Sequence, residues 1–293
     1  MKEGFLMWIL YAVFSSFFAG LTSILAKIGI NKTDSTVATA IRTIVVVIFS
    51  WIMVLVVGSI NTISNIETKS LVFLILSGLA TGASWLCYFK AIQIGDINKV
   101  VPIDKSSTII TIILAFIFLG EAISQLKIFA VILIAVGTFL MIDMKNFIFF
   151  SKDSTNAWFI YALLSAIFAA LTAILGKIGI ENIESNLGTA IRTVVVLIMS
   201  WIMVLVEGKT KEIKKINSKE LKFIVLSGFA TGGSWLFYYK ALQDGLASVV
   251  VPIDKLSIVF TIIFSYIIFK EKLNKKTFLG LVLIIAGTLL MLV

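Results

Sequence analysis

Long apolar runs alternate with short polar gaps over almost the whole chain. An α-helix needs about 20 mainly apolar residues to cross the hydrocarbon core of a membrane. Ten segments fit this description approximately, at 5–29, 36–57, 70–92, 98–119, 124–142, 155–179, 186–206, 220–242, 248–269 and 276–293. The pattern predicts an all-α integral membrane protein with ten transmembrane helices, and the short gaps leave no room for an extramembrane domain.

Composition points to the same class of protein. Of the 293 residues, 59% are hydrophobic and 14% are charged, and the mean hydropathy is +1.08. Soluble domains are typically about 45–50% apolar and about 25% charged. The first apolar run, Phe5–Ile30, is too long for the apolar core of a secretory signal peptide, so it predicts a first membrane helix.

Residues that usually carry catalysis or bind metals are scarce. The chain has no histidine, which is the usual base at neutral pH and a common metal ligand. Its single cysteine, Cys87, cannot form an internal disulfide. The sequence also lacks a phosphate-binding loop, so we expect neither an enzyme nor a protein with a metal or cofactor. The net charge of +9 comes from basic residues in the gaps, which favours membrane topology over nucleic-acid binding.

The two halves of the chain are near-copies of each other, offset by 150 residues. "LTSILAKIGI" aligns with "LTAILGKIGI", and "LSGLATGASWLCYFKA" aligns with "LSGFATGGSWLFYYKA". Such self-similarity indicates an internal duplication. It predicts two five-helix repeats, at residues 1–147 and 151–293.

Lysines that differ between the copies predict how the repeats are oriented. Five helices is an odd number, so the second repeat should enter the membrane in the opposite sense. Lys32 and Lys99 of the first half correspond to Asn182 and Val249 of the second. The second half carries lysines in other loops, at positions 209, 211, 214, 215, 219, 270, 272, 275 and 276, whose first-half counterparts carry little beyond Lys69 and Lys127. Under the positive-inside rule this switch predicts two inverted repeats with both chain termini outside the cell.

The segment VVPIDK occurs once in each copy, at Val100–Lys105 and Val250–Lys255. It contains the only two prolines of the chain, Pro102 and Pro252. Proline removes a backbone donor and clashes with the preceding turn, so each residue could break a membrane helix, as in many transporter sites. Alternatively, each proline begins its helix at the first turn, where it is tolerated.

An acidic residue follows each proline and starts a polar stripe. Asp104 shares a helix face with Ser107, and Asp254 shares one with Ser257, because residues three apart are neighbours on a helix. We expect each stripe to line a cavity. The adjacent lysines point elsewhere, either to another helix or to the membrane surface. These lysines are Lys105 and Lys255.

The third predicted helix of each repeat carries a second polar stripe with a tryptophan beside it. Trp85 and Trp235 could stack on a substrate or hold a cation. We predict a cavity wall for the stripes, with ordinary helix packing as the alternative. The G-x-x-x-G motifs beginning at Gly78 and Gly228 favour close helix packing. The stripes comprise Ser77, Thr81, Ser84, Tyr88, Ser227, Thr231, Ser234 and Tyr238.

Further charged residues fall within or at the ends of the predicted spans. Charges inside membrane segments commonly mark a transport pathway. Arginine can bind a carboxylate or phosphate through two parallel hydrogen bonds, although a structural role at a helix end is the alternative. Glu121 and Glu271 end the fourth and ninth helices and are expected at the membrane interface. The predicted pathway charges are Arg42, Lys90, Arg192 and Lys240.

These motifs resemble, in order and spacing, the EamA branch of the drug/metabolite transporter superfamily. They are G-x-x-x-G-x-S-W-x-x-Y-x-x-A in the third helix, V-P-I-D-K-x-S after it and G-T-x-L-M in the last helix. The resemblance covers nearly the whole chain, twice. It implies two inverted five-helix repeats around a cavity that opens alternately to either side, and cytoplasmic termini. The substrate-binding residues that we infer are Ser84, Trp85, Tyr88, Asp104, Lys105, Ser107, Ser234, Trp235, Tyr238, Asp254, Lys255 and Ser257.

The resulting hypothesis is a secondary active transporter for a small polar or charged metabolite. Shared basic residues outnumber acids in the predicted spans, which favours an anionic or zwitterionic substrate. Asp104 and Asp254 are the candidates for ion or proton coupling. Alternatives are efflux of cationic or aromatic toxic compounds, a channel, and a flippase for lipid-linked substrates. The expected partners are the small-molecule substrate and the lipid bilayer, not nucleic acid; a homodimer is a further option. We expect the protein in the cell membrane of a bacterium or archaeon.

Overall fold

The structure is a computed structural model that describes residues 2–30, 32–94, 100, 103–104, 106–122, 124–141, 157–270 and 275–293. Every regular element in these ranges is helical. The 3-10 helices are Ser59–Asn65 and Lys209–Lys215. The α-helices are α1 (Lys2–Gly29), α2 (Ser35–Val57), α3 (Thr68–Ile94), α4 (Ser107–Phe118), α5 (Gln125–Leu140), α6 (Ala157–Gly179), α7 (Ser185–Val206), α8 (Ser218–Asp244), α9 (Ala247–Lys255), α10 (Ser257–Phe269) and α11 (Lys275–Leu290).

Six helical stretches in the described ranges are long and apolar enough to cross a membrane. They coincide with six of the predicted segments, and they make the chain a multi-pass membrane protein. Helices α4 and α5 are apolar but shorter, at 12 and 16 residues. The six stretches are Met7–Gly29, Ser35–Val57, Thr68–Tyr88, Ala157–Gly179, Ser185–Val206 and Ala247–Ile268.

The predicted helix 248–269 is in fact two helices, α9 and α10, separated at Leu256. The backbone N–H of Leu256 donates to the carbonyl of Ile253 at 3.0 Å. This hydrogen bond spans three residues instead of the four of an α-helix, so the turn is tighter. Pro252 lies inside α9, four residues before the break. Pro252 therefore does not begin its helix, contrary to the second of the two sequence-based alternatives. Its missing N–H leaves the Ser248 carbonyl without an intrahelical donor.

The first copy has a matching turn in front of α4. The Ser106 N–H donates to the Ile103 carbonyl at 3.1 Å, and α4 then begins at Ser107. Helix α10 begins at the equivalent residue, Ser257. Pro102 lies outside the described residues. The tight turn directly before the helix-initiating serine is thus present in both copies.

Equivalent residues also begin and end α2 and α7. The Asp34 carboxylate accepts hydrogen bonds from the N–H groups of the first turn of α2, and Glu184 does the same for α7. Such side chains satisfy backbone donors that have no partner within the helix. At the other end, Gly58 and Gly208 have φ of +77° and +67°. This left-handed conformation costs glycine little, and the two helices end within one residue of the same point of the repeat, at Val57 and Val206.

Two compact units make up the fold, and each draws on both halves of the sequence. The first unit contains Met1–Leu79, Leu175–Gly245 and Ile253–Glu271. The second contains Ala80–Ile174, Leu246–Pro252 and Lys272–Val293. Long helices such as α3 pass from one unit to the other, so the units do not coincide with the repeats expected from sequence.

In the first unit, helices of one half pack on helices of the other. Helix α1 runs antiparallel to α8, since Gly245 approaches the ring of Trp8 near one end and Gly29 approaches Ile224 near the other. Helices α2 and α7 are equivalent in the repeat and are also antiparallel. The beginning of α2 forms a buried cluster with the end of α7, and the 3-10 helix after each contacts the other.

Two glycines allow very close packing within this unit, as their motifs predicted. A Cβ atom on Gly78 would lie 2.6 Å from the Cβ of Val195. A Cβ atom on Gly228 would lie at the same distance from the Cβ of Val45. Both contacts join one half of the chain to the other. Helix α3 of the first half packs on α7 of the second, and α8 of the second half packs on α2 of the first.

The second unit contains a matching antiparallel pair, α5 and α11. A Cβ atom on Gly137 would lie 2.6 Å from the carbonyl oxygen of Gly280, and one on Gly287 would lie 2.7 Å from that of Ala130. Residues 130 and 137 correspond to residues 280 and 287 under the 150-residue offset, so each of the two contacts is the equivalent of the other. The equivalent helices therefore contact each other through reciprocal surfaces.

Candidate functional site

The Asp254 carboxylate belongs to a polar trio in the first unit. Ser15 of α1 donates its hydroxyl proton to Oδ1 of Asp254 at 2.6 Å. The hydroxyl of Ser234 in α8 lies 3.3 Å from that of Ser15. Both serines are buried, with exposures of 0% and 5%. The trio joins a carboxylate and two hydroxyls within predicted membrane-spanning segments.

The equivalent residues form the same trio in the second unit. Ser165 of α6 donates to Oδ1 of Asp104 at 2.8 Å. The Ser84 hydroxyl donates to the Ser165 carbonyl at 3.0 Å and lies 3.4 Å from the Ser165 hydroxyl. Each aspartate therefore accepts a hydrogen bond from the first helix of the opposite half. Ionised carboxylates accept and hydroxyls both donate and accept, so a trio could hold a proton or a cation.

Sequence reasoning identified four members of these trios but missed Ser15 and Ser165. A signal for them exists, because serine occupies the same position of the first helix in both copies. Neither residue belongs to an evident stripe or motif, however. Their importance follows from a partner on a distant helix, which helical periodicity does not reveal.

The other members of the polar stripes are partly engaged by helix packing. Thr231 approaches Thr22 at 3.4 Å in the first unit, and Thr81 approaches Thr172 at 3.3 Å in the second. The carbonyls of the helix-initiating serines accept hydrogen bonds from the threonines four residues on. Tyr88 packs against a core cluster in the second unit. Among the remaining predicted members, Ser107 is buried, and both Ser257 and Tyr238 are half-buried.

The ring of Trp235 lies beside a positively charged side chain of the protein itself. The guanidinium carbon of Arg192 lies 5.1 Å from the centre of the Trp235 ring and 4.6 Å from that of Tyr239. Arg192 also donates from Nε to the Ser77 hydroxyl at 3.2 Å and is 1% exposed. The Trp85 side chain is half-buried in the second unit. Trp235 thus has a structural contact in addition to its predicted role.

The predicted basic residues differ widely in their surroundings. Lys240 forms an ion pair with Asp244 at 3.0 Å. Lys90 and Lys255 are exposed. A further lysine, Lys177, donates to the carbonyls of Leu242 and Gly245 and so satisfies acceptors at the end of α8. Lys105 lies outside the described residues.

Two cavities of the first unit are lined by residues predicted from the sequence. The larger, of about 620 Å³, has mainly apolar walls that include Phe18, Phe49 and Phe237, and Lys240 lines it too. The smaller, of about 200 Å³, is lined by Arg42 together with serine and threonine residues. The described residues contain no group of three or more histidine, cysteine, aspartate or glutamate side chains that could hold a metal ion.

An ion-pair network that the sequence analysis did not foresee links the start of α2 to the end of α7. The Nζ atom of Lys209 lies 2.9 Å from Asp34 and 2.7 Å from Glu207. Thr36 also donates to Glu207 at 2.9 Å. Burial raises the pKa of Asp34, but hydrogen bonding and the charge of Lys209 outweigh it and leave that pKa lowered. Burial works against the charge of Lys209, but its two carboxylate partners leave its pKa raised.

Glu121 is buried within the protein, with 8% exposure. Its two carboxylate oxygens accept hydrogen bonds from the N–H groups of Ala247 at 2.7 Å and Ser248 at 3.0 Å. The first donors of a helix have no intrahelical partner, so a distant glutamate caps α9. The equivalent Glu271 lies outside the described residues.

Comparison with known proteins identifies the family. A model described as the EamA-like transporter family matches the chain twice, at residues 6–143 and 156–293. A Sinorhizobium protein named "Uncharacterized transporter in cobO 3'region" is 45% identical over 137 residues, covering 47% of this chain and 97% of that protein. An uncharacterized transporter of Synechocystis is 26% identical over 220 residues, covering 69% of this chain and 59% of that protein.

A solved crystal structure has the same fold. It superposes with a TM-score of 0.77 over 99% of this chain and 96% of its own, at 12% sequence identity. The family matches together cover nearly the whole chain, and the sequence motifs recur in both of them. The chain therefore belongs to the EamA-like transporter family.

Proposed function

We propose that the protein is a secondary active transporter that moves a small anionic or zwitterionic metabolite by alternating access. Asp104 and Asp254 would couple transport to a proton or a cation. The names of the family and of the relatives indicate transport and not catalysis. The relatives from Sinorhizobium and Synechocystis are bacterial, which supports a place in the cell membrane of a prokaryote.

The two aspartate–serine trios carry this proposal. A charge within a membrane-spanning segment is costly and is usually retained for function. A proton or cation that binds to the carboxylate changes its charge and competes for the serine hydrogen bond. Since that serine belongs to the other half of the chain, occupancy of the carboxylate would bias the packing of the two halves. A ligand shifts a conformational equilibrium only through such differential contacts.

The proposed topology is ten spans in two inverted repeats, at residues 1–147 and 151–293. The antiparallel pairs of equivalent helices, α2 with α7 and α5 with α11, support it, as does the switch of lysine-rich loops. Asn61 and Lys211 are exposed, equivalent positions in the two 3-10 helices. In a Cys87→Ser background, Asn61→Cys and Lys211→Cys should react with a membrane-impermeant thiol reagent from opposite sides. Labelling of both from the same side would overturn the inversion.

The coupling role is tested by transport in proteoliposomes. Metabolites that raise the thermal stability of the purified protein identify a substrate, because ligands that bind the folded state stabilise it. Uptake of that substrate, driven by a pH or cation gradient, is then compared between the wild type and Asp104→Asn with Asp254→Asn. We expect the double variant to lose gradient-driven uptake, whereas Glu181→Gln, at an exposed position, should retain it. Unchanged uptake and pH dependence in the double variant would contradict the coupling role.

Efflux of aromatic or cationic compounds is a second candidate function, favoured by the larger cavity. Its volume of about 620 Å³ lies in the range of drug-sized sites, about 300–1,000 Å³. Aromatic side chains in its wall could stack on such a compound or attract a cation. Resistance of cells to a panel of aromatic cations, compared with cells that express Phe237→Ala, separates this function from metabolite transport. Saturable counterflow would separate either function from a channel.

A homodimer is the remaining proposal on partners. Sedimentation of the purified protein at several concentrations distinguishes a monomer from a dimer.

A further inference from the structure

Two equivalent arginines in the first unit have different surroundings. Arg192 of α7 is buried and held by protein groups, namely the Ser77 hydroxyl and the rings of Trp235 and Tyr239. Cation–ring contacts and a hydrogen bond compensate its charge within the protein. Arg42 of α2, which is 150 positions earlier, is only half-buried.

Arg42 lines the smaller cavity of the unit, where hydroxyl groups accompany it. Ser35, Thr39 and Ser227 contribute these hydroxyls, and the rest of the wall is aliphatic, including Ile30. No acidic side chain is found among the described residues that line this cavity. Within the described part of the chain, the Arg42 guanidinium has no hydrogen-bond or ion-pair partner.

Differences between the copies explain part of this asymmetry. A Cβ atom on Gly176 would lie 2.6 Å from Cε1 of Tyr239, so this glycine is needed for the tyrosine to reach its place beside Arg192. The first copy has Ala26 at the position of Gly176, and phenylalanine replaces Tyr239 at position 89. The first copy therefore lacks both the glycine and the phenol that accompany Arg192.

The positive charge of the smaller cavity comes from the guanidinium and not from the start of α2. Although Ser35 is the first residue of that helix, the N–H groups of Thr36 and Val37 already donate to the Asp34 carboxylate. Arg42 is thus a single, permanent charge on a membrane-spanning helix. Such a charge normally has a counter-charge or faces a water-filled cavity.

We propose that the Arg42 cavity is a binding site for a small monocarboxylate with a short aliphatic chain. The planar guanidinium fits a carboxylate with two parallel hydrogen bonds, and the hydroxyls of Ser35 and Thr39 supply further donors. The Ser227 hydroxyl already donates to the Ile224 carbonyl. One cation matches one carboxylate, whereas a phosphate dianion would keep an excess negative charge. The aliphatic part of the wall suits a hydrocarbon chain. This assignment rests on the proposed transport function, for which it names the substrate class.

The size of the cavity sets the size of the ligand. A volume of about 200 Å³ lies below the range of drug-sized sites, about 300–1,000 Å³. This space suits a carboxylate of a few carbon atoms. A nucleotide or a sugar phosphate is too large for it.

Equilibrium binding of radiolabelled isobutyrate to the purified full-length protein, in a neutral detergent at constant ionic strength, tests the site. We expect saturable binding that unlabelled acetate displaces and inorganic phosphate does not. Arg42→Gln should weaken binding by at least about tenfold, because it removes a charge-assisted contact. Arg42→Lys should also weaken it, since lysine keeps the charge but lacks the planar pair of donors.

A pair of smaller substitutions keeps the test informative if Arg42→Gln does not fold. Thr39→Val preserves the shape of the side chain and removes one hydroxyl of the cavity, so it should weaken binding by about five- to tenfold. The control is Thr189→Val at the equivalent position of the second copy. Thr189 is buried and donates to the carbonyl of Ser185 at 2.7 Å. It should leave isobutyrate binding unchanged.

Three results would overturn the site: no saturable binding of isobutyrate, binding that Arg42→Gln leaves unchanged, or equal losses in Thr39→Val and Thr189→Val. Displacement by phosphate as effective as that by acetate would overturn the monocarboxylate assignment. Binding is measured without a gradient or a membrane. A protein that binds isobutyrate at Arg42 but does not carry it in proteoliposomes would contradict the proposed transport, not the site.

Discussion

The hydroxyl of Ser15 donates a 2.6 Å hydrogen bond to the carboxylate of Asp254, and the two residues come from opposite halves of the chain. Ser165 and Asp104 make the reciprocal contact at 2.8 Å. Neither repeat contains a complete contact of this kind in the part of the chain that the structure describes. The chemistry of each carboxylate therefore depends on packing between the repeats.

Because the trios are equivalent, we expect Ser15→Ala and Ser165→Ala to reduce transport to a similar extent. Loss of a hydrogen bond to a charged group costs about 1.5–3 kcal/mol, which corresponds to roughly ten- to a hundredfold. The measurement is the initial rate of gradient-driven uptake in proteoliposomes. Ser16→Ala is the control, since the Ser16 hydroxyl donates only to the Val13 carbonyl of its own helix. A loss in one variant alone would contradict equivalent roles.

Residues that repetition or periodicity makes visible were predictable from the sequence. The apolar runs, the two glycine contacts and the aspartates with their stripes all follow from patterns within one helix or from the 150-residue offset. The role of Ser15 does not, because its partner lies 239 positions away. The different surroundings of Arg42 and Arg192 were also unpredictable from local pattern. Arg192 contacts Tyr239 of α8, whereas the equivalent residue of the first copy is Phe89.

Charged residues near helix ends were the least predictable. Glu121 follows a membrane helix, a position typical of the interface, yet it is buried because α9 begins beside it. From the sequence, Lys209 indicated only the membrane topology, but its side chain joins two helices through Asp34 and Glu207. In both cases the decisive partner belongs to a segment distant in sequence.

Glu121→Ala should destabilise the protein. Two buried N–H groups at the start of α9 would lose their acceptors, and each such loss costs about 1–3 kcal/mol. Glu121→Gln should be intermediate, because its amide retains one acceptor oxygen. The measurement is thermal unfolding in detergent, with Glu181→Ala at an exposed position as the control. Equal unfolding temperatures for Glu121→Ala and Glu181→Ala would contradict the cap.

Gly78→Ala and Gly228→Ala should destabilise the protein equally. Each new Cβ atom would lie 2.6 Å from a valine Cβ atom, so the helices must separate. Overpacking of this kind typically costs about 1–3 kcal/mol. Gly233→Ala is the matched control in α8, because its Cβ atom would meet the Phe18 ring at an ordinary distance of 3.5 Å. Thermal unfolding of the three variants provides the comparison, and a Gly233→Ala protein as unstable as the other two would show that the close contacts are not the cause.

Lys209→Met should lower stability over a defined range of pH. The pKa of Asp34 is below its usual 3.8, so its contribution is complete above that pH and is lost as the pH falls through the lowered pKa. The pKa of Lys209 is above its usual 10.5, so its contribution is complete below that pH and is lost as the pH rises through the raised pKa. The difference in unfolding temperature between wild type and Lys209→Met should therefore be constant between these two usual values.

Partial exposure limits the size of this effect. The side chains of Lys209 and Asp34 are 32% and 24% exposed, and ion pairs of this kind contribute about 0.2–1 kcal/mol. Because water reaches the pair, added salt should reduce the difference. Lys211→Met is the control, since that lysine is exposed on the same 3-10 helix. A loss for Lys209→Met that persists unchanged as the pH falls far below 3.8 would mean that the methionine disturbs packing, and that the bond to Asp34 is not what stabilises this end of α2.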